Sequence, residues 1–418
     1  MRPGPAEDEE KSILAPLVNV PFFRPSITQR EIDEVTACLR SGWLTTGPRA
    51  KQFEEDFAQA VGARHAVAVN SCTAALHLAV ESLELKPGQG VLIPTMTFAA
   101  TAEIIRYQGA FPILVDCDPV TLNIDLYDAR EKLTALRAGR LPVSADTHVV
   151  GIIPVHVGGA MVDMDRVAQF ATQHGLWVVE DSAHALPAAF RTEAGQWKTS
   201  GHDTAAITCY SFYANKTITT GEGGMAVTAD PQLAQRMRSM SLHGLSNDAW
   251  KRFSGSGTWD YRILAAGYKY NLTDLAASLG IHQLARAEEL RAERERLALG
   301  FMRELSSLVQ VEMPATHADR LHAWHLFPIR LRSESLRIDR NQFMEEMRGR
   351  GVGTSVHWRP LHLHPYYAEQ FGWRAEHCPV ASREWERLIS LPLFPAMSEQ
   401  EFEHVVATIT SLCDAHHV

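Results

Sequence analysis

The chain has 418 residues, of which 45% are hydrophobic and 21% are charged, an ordinary composition for a soluble globular protein. This length is too great for one small core, and it predicts two domains or one large domain with a smaller one attached. The 40 basic and 49 acidic residues give a formal net charge of −9, which argues against a general nucleic-acid-binding protein.

The cysteines and the N-terminal segment indicate the cellular compartment in which the protein is expected. The six cysteines form no CxxC pair, so we expect reduced thiols in a cytoplasmic protein. Residues 1–15 lack the apolar segment of a signal peptide and are predicted to form a mobile tail. We find no apolar run long enough to cross a membrane in the sequence, and we expect no membrane partner.

Between about residues 64 and 227, short apolar runs alternate with segments of helical period. The runs predict strands at residues 65–70, 91–95, 112–118, 149–156, 176–181 and 204–214. Helices are predicted between them at residues 72–83, 99–110 and 164–174. Asp163 can cap the last of these helices, and Gly175 can end it. Apolar strands separated by helices predict an α/β fold with a largely parallel sheet covered on both faces.

The pattern changes after about Asn271. Residues 274–305 predict a long helix with charges on one side. The remaining segment predicts two strands and a helix, at residues 323–331, 351–358 and 339–351. We therefore expect a large domain at residues 16–270 and a smaller α+β C-terminal domain, which includes the long helix, at residues 271–418.

Polar residues interrupt the apolar pattern where four predicted strands end. The interruptions read "NSCT" (70–73), "PTMTF" (94–98), "EDSAH" (180–184) and "SFYANK" (211–216). Ligands of open α/β sheets bind at the carboxyl ends of the strands, so these segments are expected to converge in one crevice.

Several of these residues have both a chemical and a structural interpretation. Ser71 and Thr73 lie at a strand-to-helix junction that suits a phosphate, although Ser71 is equally explained as a helix cap. Asp181 ends an apolar strand, so either it pairs with a buried cation or it is an ordinary strand-end aspartate. Taken alone, Phe98 and His184 are most simply packing residues.

Lys216 is the sharpest feature of the sequence, because it is the single basic residue in "SFYANKTITTGEGGMAV" (211–227). Desolvation lowers the pKa of a lysine and makes its amine nucleophilic, which suits it to bind a carbonyl covalently. A phosphate cradle, a buried aspartate, an aromatic ring and a desolvated lysine together match the needs of pyridoxal 5′-phosphate (PLP).

Six segments of the chain resemble a known family, and four of them contain the polar interruptions named above. In chain order they read "NSCTAALHLA", "PTMTFAAT", "VHVGG", "EDSAHA", "SFYANKTITTGEGGMAVT" and "GYKYNLTDLAASLG". They resemble the DegT/DnrJ/StrS family of fold-type-I, PLP-dependent aminotransferases of nucleotide-linked keto-sugars, from Gly42 to Pro395. "GYKYNLTD", "HAWHLFPIRL" and the "HGLSNDAW" region are similar to the branch that aminates C4 of the sugar. The resemblance implies a large domain with a mainly parallel, seven-stranded sheet and a smaller C-terminal domain.

The resemblance implies a role for each residue of the crevice. Lys216 would hold the cofactor covalently and carry a proton between the cofactor and the substrate. Asp181 would contact the pyridine nitrogen, Phe98 would stack on the ring, and His184 would lie beside it.

Phosphate contacts are implied for Ser211 and for the turn Ser71–Cys72–Thr73, while Asn271 would reach the phosphate of the neighbouring subunit. The turn of the family usually has Gly or Ala where this chain has Cys72, so the close packing there is a point to test. A homodimer with shared active sites follows from the contact by Asn271.

The resemblance also implies the substrates. L-glutamate would donate the amino group to a keto carbon of a nucleotide-linked deoxy-keto-sugar, with C4 favoured over C3. Lys216 argues against the subgroup that has histidine at this position and dehydrates its substrate. Two alternatives stay open: another fold-type-I PLP enzyme, of aldolase or desulfurase type, and a non-catalytic PLP-binding regulator.

Two further patterns resemble ligand-binding motifs but lack the required spacing. "GEGGMAV" (221–227) lacks the spacing of a dinucleotide fingerprint, so its glycines are expected to let the backbone turn tightly beside the cofactor. His357, His362 and His364 match no metal-site spacing, and we expect no metal.

Overall fold

The computed structural model describes residues 18–246 and 262–418. The predicted mobile tail at residues 1–15 and the second half of the "HGLSNDAW" segment, residues 247–250, lie outside these residues. The strands are β1 His65–Val69, β2 Gly90–Pro94, β3 Phe111–Val115, β4 Val149–Ile152, β5 Trp177–Asp181, β6 Ala189–Arg191, β7 Trp197–Thr199, β8 Ile207–Ser211, β9 Gly224–Thr228, β10 Val311–Glu312, β11 Arg320–Leu321, β12 Phe327–Leu331 and β13 Leu388–Leu391.

Helices precede, separate and follow these strands. They are α1 Gln29–Ser41, α2 Pro48–Val61, α3 Cys72–Ser82, α4 Ala100–Tyr107, α5 Leu126–Arg137, α6 Met164–His174, α7 Pro231–Met240, α8 Asp274–Ala285, α9 Ala287–Leu305, α10 Arg340–Gly349, α11 Pro365–Phe371, α12 Pro379–Arg387 and α13 Glu399–Ala415. As predicted, Asp163 caps α6 by accepting from the Arg166 N–H, and Gly175 ends it in the left-handed conformation.

The main sheet has seven strands in the order β1-β9-β8-β5-β4-β2-β3. The neighbours from β8 to β3 are parallel, and β9 alone runs antiparallel to both of its neighbours. The predicted α/β class with a mainly parallel seven-stranded sheet is therefore confirmed. Because β1 and β8 both oppose β9, six strands end at the same edge.

Helices bury both faces of this sheet, as the alternation of side chains along its strands shows. On β2, Val91 and Ile93 belong to the apolar core formed with α3 and α4, whereas Leu92 between them belongs to the core formed with α5 and α6. Side chains of successive strand residues point to opposite faces, so a strand buried on both faces is apolar at every position.

The C-terminal part adds a second sheet with its own core. Strands β10, β12 and β13 pair antiparallel, and α9, α10 and α13 pack with them around Phe301, Phe327 and Phe343. Val20 near the other end of the described chain also packs in this core and bridges to Val352. A third small sheet joins β11 to the β6–β7 hairpin.

The strands predicted at residues 149–156 and 204–214 are shorter in the structure, as β4 and β8, and three elements predicted in the C-terminal part were wrong. The long helix at residues 274–305 is two helices separated at Arg286, whose guanidinium forms an ion pair with buried Glu31 at 3.3 Å. Residues 351–358 form no strand, because Val352 bridges to Val20 while Ser355 bridges to Ser390, and two different partners cannot build one ladder. The strand predicted at residues 323–331 begins only at Phe327.

Within the ranges that the structure describes, none of the helices is both long and apolar enough to cross a membrane.

Candidate active site

The polar segments named in the sequence analysis meet at one edge of the main sheet. In the strand register, Gly224 at the start of β9 pairs with Val69 at the end of β1 and with Ser211 at the end of β8. A cavity of about 530 Å³ opens at this edge. It is lined by eight of the nine residues expected to form the site, namely Ser71, Cys72, Thr73, Phe98, Asp181, His184, Ser211 and Lys216.

The N-terminus of α3 forms one wall of the cavity. Ser71 is the N-cap, and its side chain accepts a hydrogen bond from the Ala74 N–H at 3.1 Å, so the capping interpretation of Ser71 is correct. The N–H groups of Cys72 and Thr73 occupy the first helical positions, where no intrahelical partner exists. Capping and phosphate binding are compatible, because these N–H groups remain available to an anion.

Cys72 fits the turn in spite of its size, because its side chain packs against the apolar core around α3. Gly224 presses on the other side of the same turn. A Cβ built on Gly224 would lie 2.5 Å from the carbonyl carbon and oxygen of Ser71 and 2.6 Å from the Cys72 nitrogen. Only glycine allows β9 to approach the turn this closely.

Asp181 ends β5 and is buried beneath the cavity. Its Oδ2 accepts a hydrogen bond from the Thr101 hydroxyl at 2.8 Å, and its Oδ1 accepts one from the Ala183 N–H at 3.1 Å. Burial raises the pKa of Asp181, while these hydrogen bonds and the nearby Lys216 charge act in the opposite direction. The carboxylate is therefore fixed in orientation and interacts with the charge of Lys216, which lines the same cavity.

Lys216 follows β8 after a tight turn, in which its N–H donates to the Tyr213 carbonyl at 2.9 Å. Burial lowers the pKa of Lys216 to about 8, although Cys72 and Asp181 act to raise it. Roughly a tenth of this amine is uncharged, and so nucleophilic, at pH 7 and roughly half at pH 8, far more than for an ordinary lysine. The desolvation inferred from the sequence pattern thus has a structural basis.

His184 contacts two other aromatic side chains of the cavity lining. The His184 ring lies 5.0 Å from the Trp358 ring at an interplanar angle of 20°, and 4.1 Å from the His325 ring. His184 Nδ1 accepts a hydrogen bond from the Gly158 N–H at 3.3 Å, which leaves its proton on Nε2. Burial lowers the pKa of His184 and of His325 well below the usual range, so both are neutral.

Phe98 lies at the mouth of the cavity with 63% of its surface exposed. An aromatic ring this exposed on a cavity wall is free to stack on a bound ring, and packing in the protein core is not its role. Its carbonyl accepts a hydrogen bond from the Thr101 N–H at 3.3 Å, so Phe98 and the partner of Asp181 share one turn.

Asn271 lies away from Lys216 and lines a separate cavity of about 880 Å³. Its Nδ2 donates to the Thr46 hydroxyl at 2.6 Å, and its Oδ1 accepts from the Lys269 ammonium at 2.7 Å. Asn271 does not cap the following helix, because Thr273 is the N-cap of α8 and accepts from the Ala276 N–H. Within one chain, Asn271 contributes nothing to the cavity of Lys216.

The donor set of the cavity fits PLP. The first-turn N–H groups of α3 and the Ser211 hydroxyl suit the phosphate, Asp181 suits a protonated ring nitrogen, and Lys216 suits the aldehyde. A volume of about 530 Å³ lies in the range typical of cofactor pockets.

The histidines of the "VHWRPLHLHPYY" segment point to three different places. His357 lines the active-site cavity and contacts the Ser390 hydroxyl, His362 is buried between Thr95 and Ser382, and His364 contacts the Arg359 carbonyl. In residues 18–246 and 262–418, no group of histidine, cysteine, aspartate and glutamate has the geometry of a metal site.

Sequence reasoning missed several residues of the site, notably Thr97, Thr101, His325 and Trp358. The threonines lie inside the quoted "PTMTFAAT" segment, and their position beside Phe98 was the available signal. His325 and Trp358 come from the C-terminal part of the chain, and no periodicity relates them to the main sheet.

Comparison with known proteins supports the same assignment. Residues 25–410 match the DegT/DnrJ/EryC1/StrS aminotransferase family. An uncharacterised protein of Methanocaldococcus jannaschii is 41% identical over 393 residues, which cover 94% of this chain and 97% of that protein. The spore coat polysaccharide biosynthesis protein SpsC of Bacillus subtilis is 39% identical over 394 residues, with 94% of this chain and 97% of SpsC covered.

A solved structure extends the comparison to the fold. Spr1654 of Streptococcus pneumoniae, assigned as a sugar aminotransferase, superposes in its PLP form with a TM-score of 0.83 at 30% identity, covering 95% of this chain and 99% of that one. Its PMP form gives the same TM-score of 0.83. The fold-type-I architecture and the family resemblance inferred from the motifs are both confirmed. The chain belongs to the DegT/DnrJ/EryC1/StrS aminotransferase family.

Proposed function

We propose that this aminotransferase uses PLP to move an amino group from L-glutamate to the C4 keto carbon of a nucleotide-linked deoxy-keto-sugar. The observation that carries the proposal is Lys216, whose pKa burial lowers to about 8, in one cavity with Asp181 and the N-terminus of α3. The names of SpsC and Spr1654 support a role in sugar metabolism. The preference for C4 rests on the motifs "GYKYNLTD" and "HAWHLFPIRL".

Each residue of the cavity takes a defined part in this proposal. When bound, PLP supplies an electron sink that stabilises negative charge on the carbon that loses its proton. Lys216 Nζ would hold the cofactor covalently, and its amine would accept and return the proton, because burial lowers its pKa to about 8. Asp181 would hold the ring nitrogen protonated, Phe98 would stack on the ring, and His184 would lie beside it.

The phosphate would bind at the cavity wall that the start of α3 and the end of β8 form. The N–H groups of Cys72 and Thr73 point along the helix axis from its positive end, and the hydroxyls of Ser71 and Ser211 flank them. A helix N-terminus of this kind binds a phosphate dianion without an arginine.

The amino donor distinguishes this proposal from the other PLP-dependent classes. The purified enzyme loaded with PLP is mixed with L-glutamate in the absence of any sugar, and its absorption spectrum is followed. Conversion of the cofactor to its amine form, with one equivalent of 2-oxoglutarate released, is expected. An enzyme of aldolase or desulfurase type, or a non-catalytic regulator, would release no 2-oxoglutarate.

The position of amination requires a second experiment. The amine form of the enzyme is incubated with a panel of nucleotide-linked 4-keto and 3-keto sugars, and the products are identified by NMR. We expect single-turnover conversion of a 4-keto sugar at a rate at least tenfold above that of its 3-keto isomer. A faster reaction of the 3-keto isomer would refute the C4 assignment while leaving the transaminase intact.

The separation of Asn271 from Lys216 motivates a dimer with shared sites. We propose that Asn271, held between Thr46 and Lys269, contacts the cofactor phosphate of the partner subunit. In a twofold dimer, mixing Lys216→Ala with Asn271→Asp places both changes in one site of each mixed dimer and leaves the other site intact. Activity should therefore return after subunit exchange. No recovery after exchange verified by native mass spectrometry, or an active monomer, would refute the shared site.

A further inference from the structure

Two buried threonines form a hydrogen-bonded chain that ends on the Asp181 carboxylate. Thr101 Oγ1 donates to Asp181 Oδ2 at 2.8 Å, and the Thr97 and Thr101 hydroxyl oxygens are 2.8 Å apart. All three side chains are buried, and all three residues line the cavity of Lys216. The roles assigned above to the cavity residues involve neither threonine.

The chain of hydroxyls has one direction. A hydroxyl carries a single proton, and an ionised carboxylate only accepts hydrogen bonds. The Thr101 hydroxyl therefore donates a hydrogen bond to the Asp181 carboxylate. The Thr101 oxygen in turn accepts a hydrogen bond from the Thr97 hydroxyl. A donor that is itself polarised by a second hydroxyl forms a stronger bond to a charged acceptor in a buried site.

The backbone connects this chain to the rest of the site. Thr101 lies in the first turn of α4, and its N–H donates to the Phe98 carbonyl. The turn at residues 97–101 thus supplies the exposed ring at the cavity mouth and the hydroxyl that reaches Asp181. Asp181 itself comes from β5, which lies two strands away from the β2 strand that leads into this turn.

We infer that Thr101, oriented by Thr97, is a positioning residue that holds the Asp181 carboxylate, as an anion, against the cofactor ring nitrogen. The inference rests on the role proposed for Asp181 above. Replacing Thr101 by valine keeps the shape of the side chain but removes the donor, so Oδ2 loses its partner in a buried site. The carboxylate is then easier to protonate and less fixed in orientation, and it attracts the ring cation less strongly.

Thr208→Val is the matched control, because the Thr208 hydroxyl binds the carboxylate of the residue next to Asp181. Glu180 precedes Asp181 in β5 and is also buried, and its Oε2 accepts a hydrogen bond from the Thr208 hydroxyl at 3.0 Å. Thr208→Val removes the same kind of bond from a buried carboxylate that does not line the cavity. Any loss of stability common to both variants is thereby separated from an effect on the cofactor.

The experiment measures the binding of PLP to the apoenzymes of the wild type, Thr101→Val, Thr101→Ser, Thr97→Val, Thr208→Val and Asp181→Asn. Thr101→Val should raise the Kd for PLP roughly tenfold, since a hydrogen bond to a charged group is lost. It should also shift the pH midpoint of the absorption band of the bound cofactor. Thr101→Ser should restore both values, Thr97→Val should raise the Kd about threefold, and Thr208→Val should leave the Kd and the spectrum unchanged.

Each outcome bears on one step of the reasoning. A wild-type Kd and spectrum in Thr101→Val beside an impaired Asp181→Asn would overturn the inference and leave the proposed role of Asp181 standing. Unchanged binding and turnover in Asp181→Asn would overturn that role itself. An equal loss in Thr208→Val would show a structural effect and would also overturn the inference. If Thr101→Val fails to fold, Thr97→Val decides, and a wild-type Kd in that variant counts against the inference.

Discussion

Replacing Gly224 by alanine should weaken cofactor binding, although it removes no group assigned to contact the cofactor. The added Cβ would lie 2.5 Å from the Ser71 carbonyl, whereas ordinary van der Waals contact begins at 3.4 Å. Both atoms of the conflict belong to backbone, so no side chain can rotate away. Either β9 or the turn at the start of α3 must move by roughly 1 Å, the size of the overlap.

This movement should lower both the stability of the protein and the precision of the cofactor site, and the size of each effect can be estimated. Overpacking of a close contact costs about 1–3 kcal/mol, and each kcal/mol lowers the Tm of a 418-residue chain by only about 1 °C. A displacement of ~1 Å at a positioning group costs on the order of a hundredfold in rate. We therefore expect the Kd for PLP to rise about tenfold to a hundredfold, and kcat/KM for the sugar to fall by a similar factor.

Gly221, in the same "GEGG" segment, is the matched control. Its φ is +78°, and a Cβ built there would meet no atom within 4 Å. Gly221→Ala should therefore lose about 1–2 kcal/mol of stability through backbone strain alone and bind PLP with nearly the wild-type Kd. Titration of both apoenzymes with PLP, beside thermal unfolding, makes the comparison. Wild-type affinity in Gly224→Ala, or an equal loss in Gly221→Ala, would refute the reasoning.

Four further outcomes are expected. Borohydride reduction of the PLP-loaded enzyme should fix the cofactor on the peptide that contains Lys216, and Lys216→Ala should abolish transamination; labelling of another lysine would contradict this. The rate at which apoenzyme takes up PLP should rise with pH through about 8 and level off above it, because the pKa of Lys216 is about 8 and the free amine reacts; a flat profile would argue against it. Asp181→Asn should lose most turnover, about a hundredfold or more, because an amide supplies no negative charge to the ring. The free energy of unfolding should fall from pH 7 to pH 5, because burial lowers the pKa of His357 and His362 to about 4 while the unfolded chain takes up protons near 6.5; equal stability at both pH values would contradict it.

Six strands of the main sheet were predictable, because each is a short and mainly apolar run. Helices of clear period separate several of them, and caps or glycines bound such a helix, as Asp163 and Gly175 bound α6. The antiparallel strand β9 was not predicted from its own residues. The break at Arg286 was not predictable, because local sequence favours a continuous helix there. Besides the nearby Glu289, Arg286 pairs with Glu31, which lies 255 residues away in the chain, and only the folded structure brings these last two charges together.

The same distinction between local and distant causes separates the predictable part of the site from the rest. Lys216 and Asp181 stand out in the sequence because a charge beside an apolar run needs a chemical reason. Thr101 carries no such signal, since a buried threonine is common and its hydroxyl can bond to its own backbone. Its importance depends on Asp181, which comes from a strand 80 residues later. A catalytic charge can therefore be found from sequence, whereas the neutral donor that holds it in place can be found only from the fold.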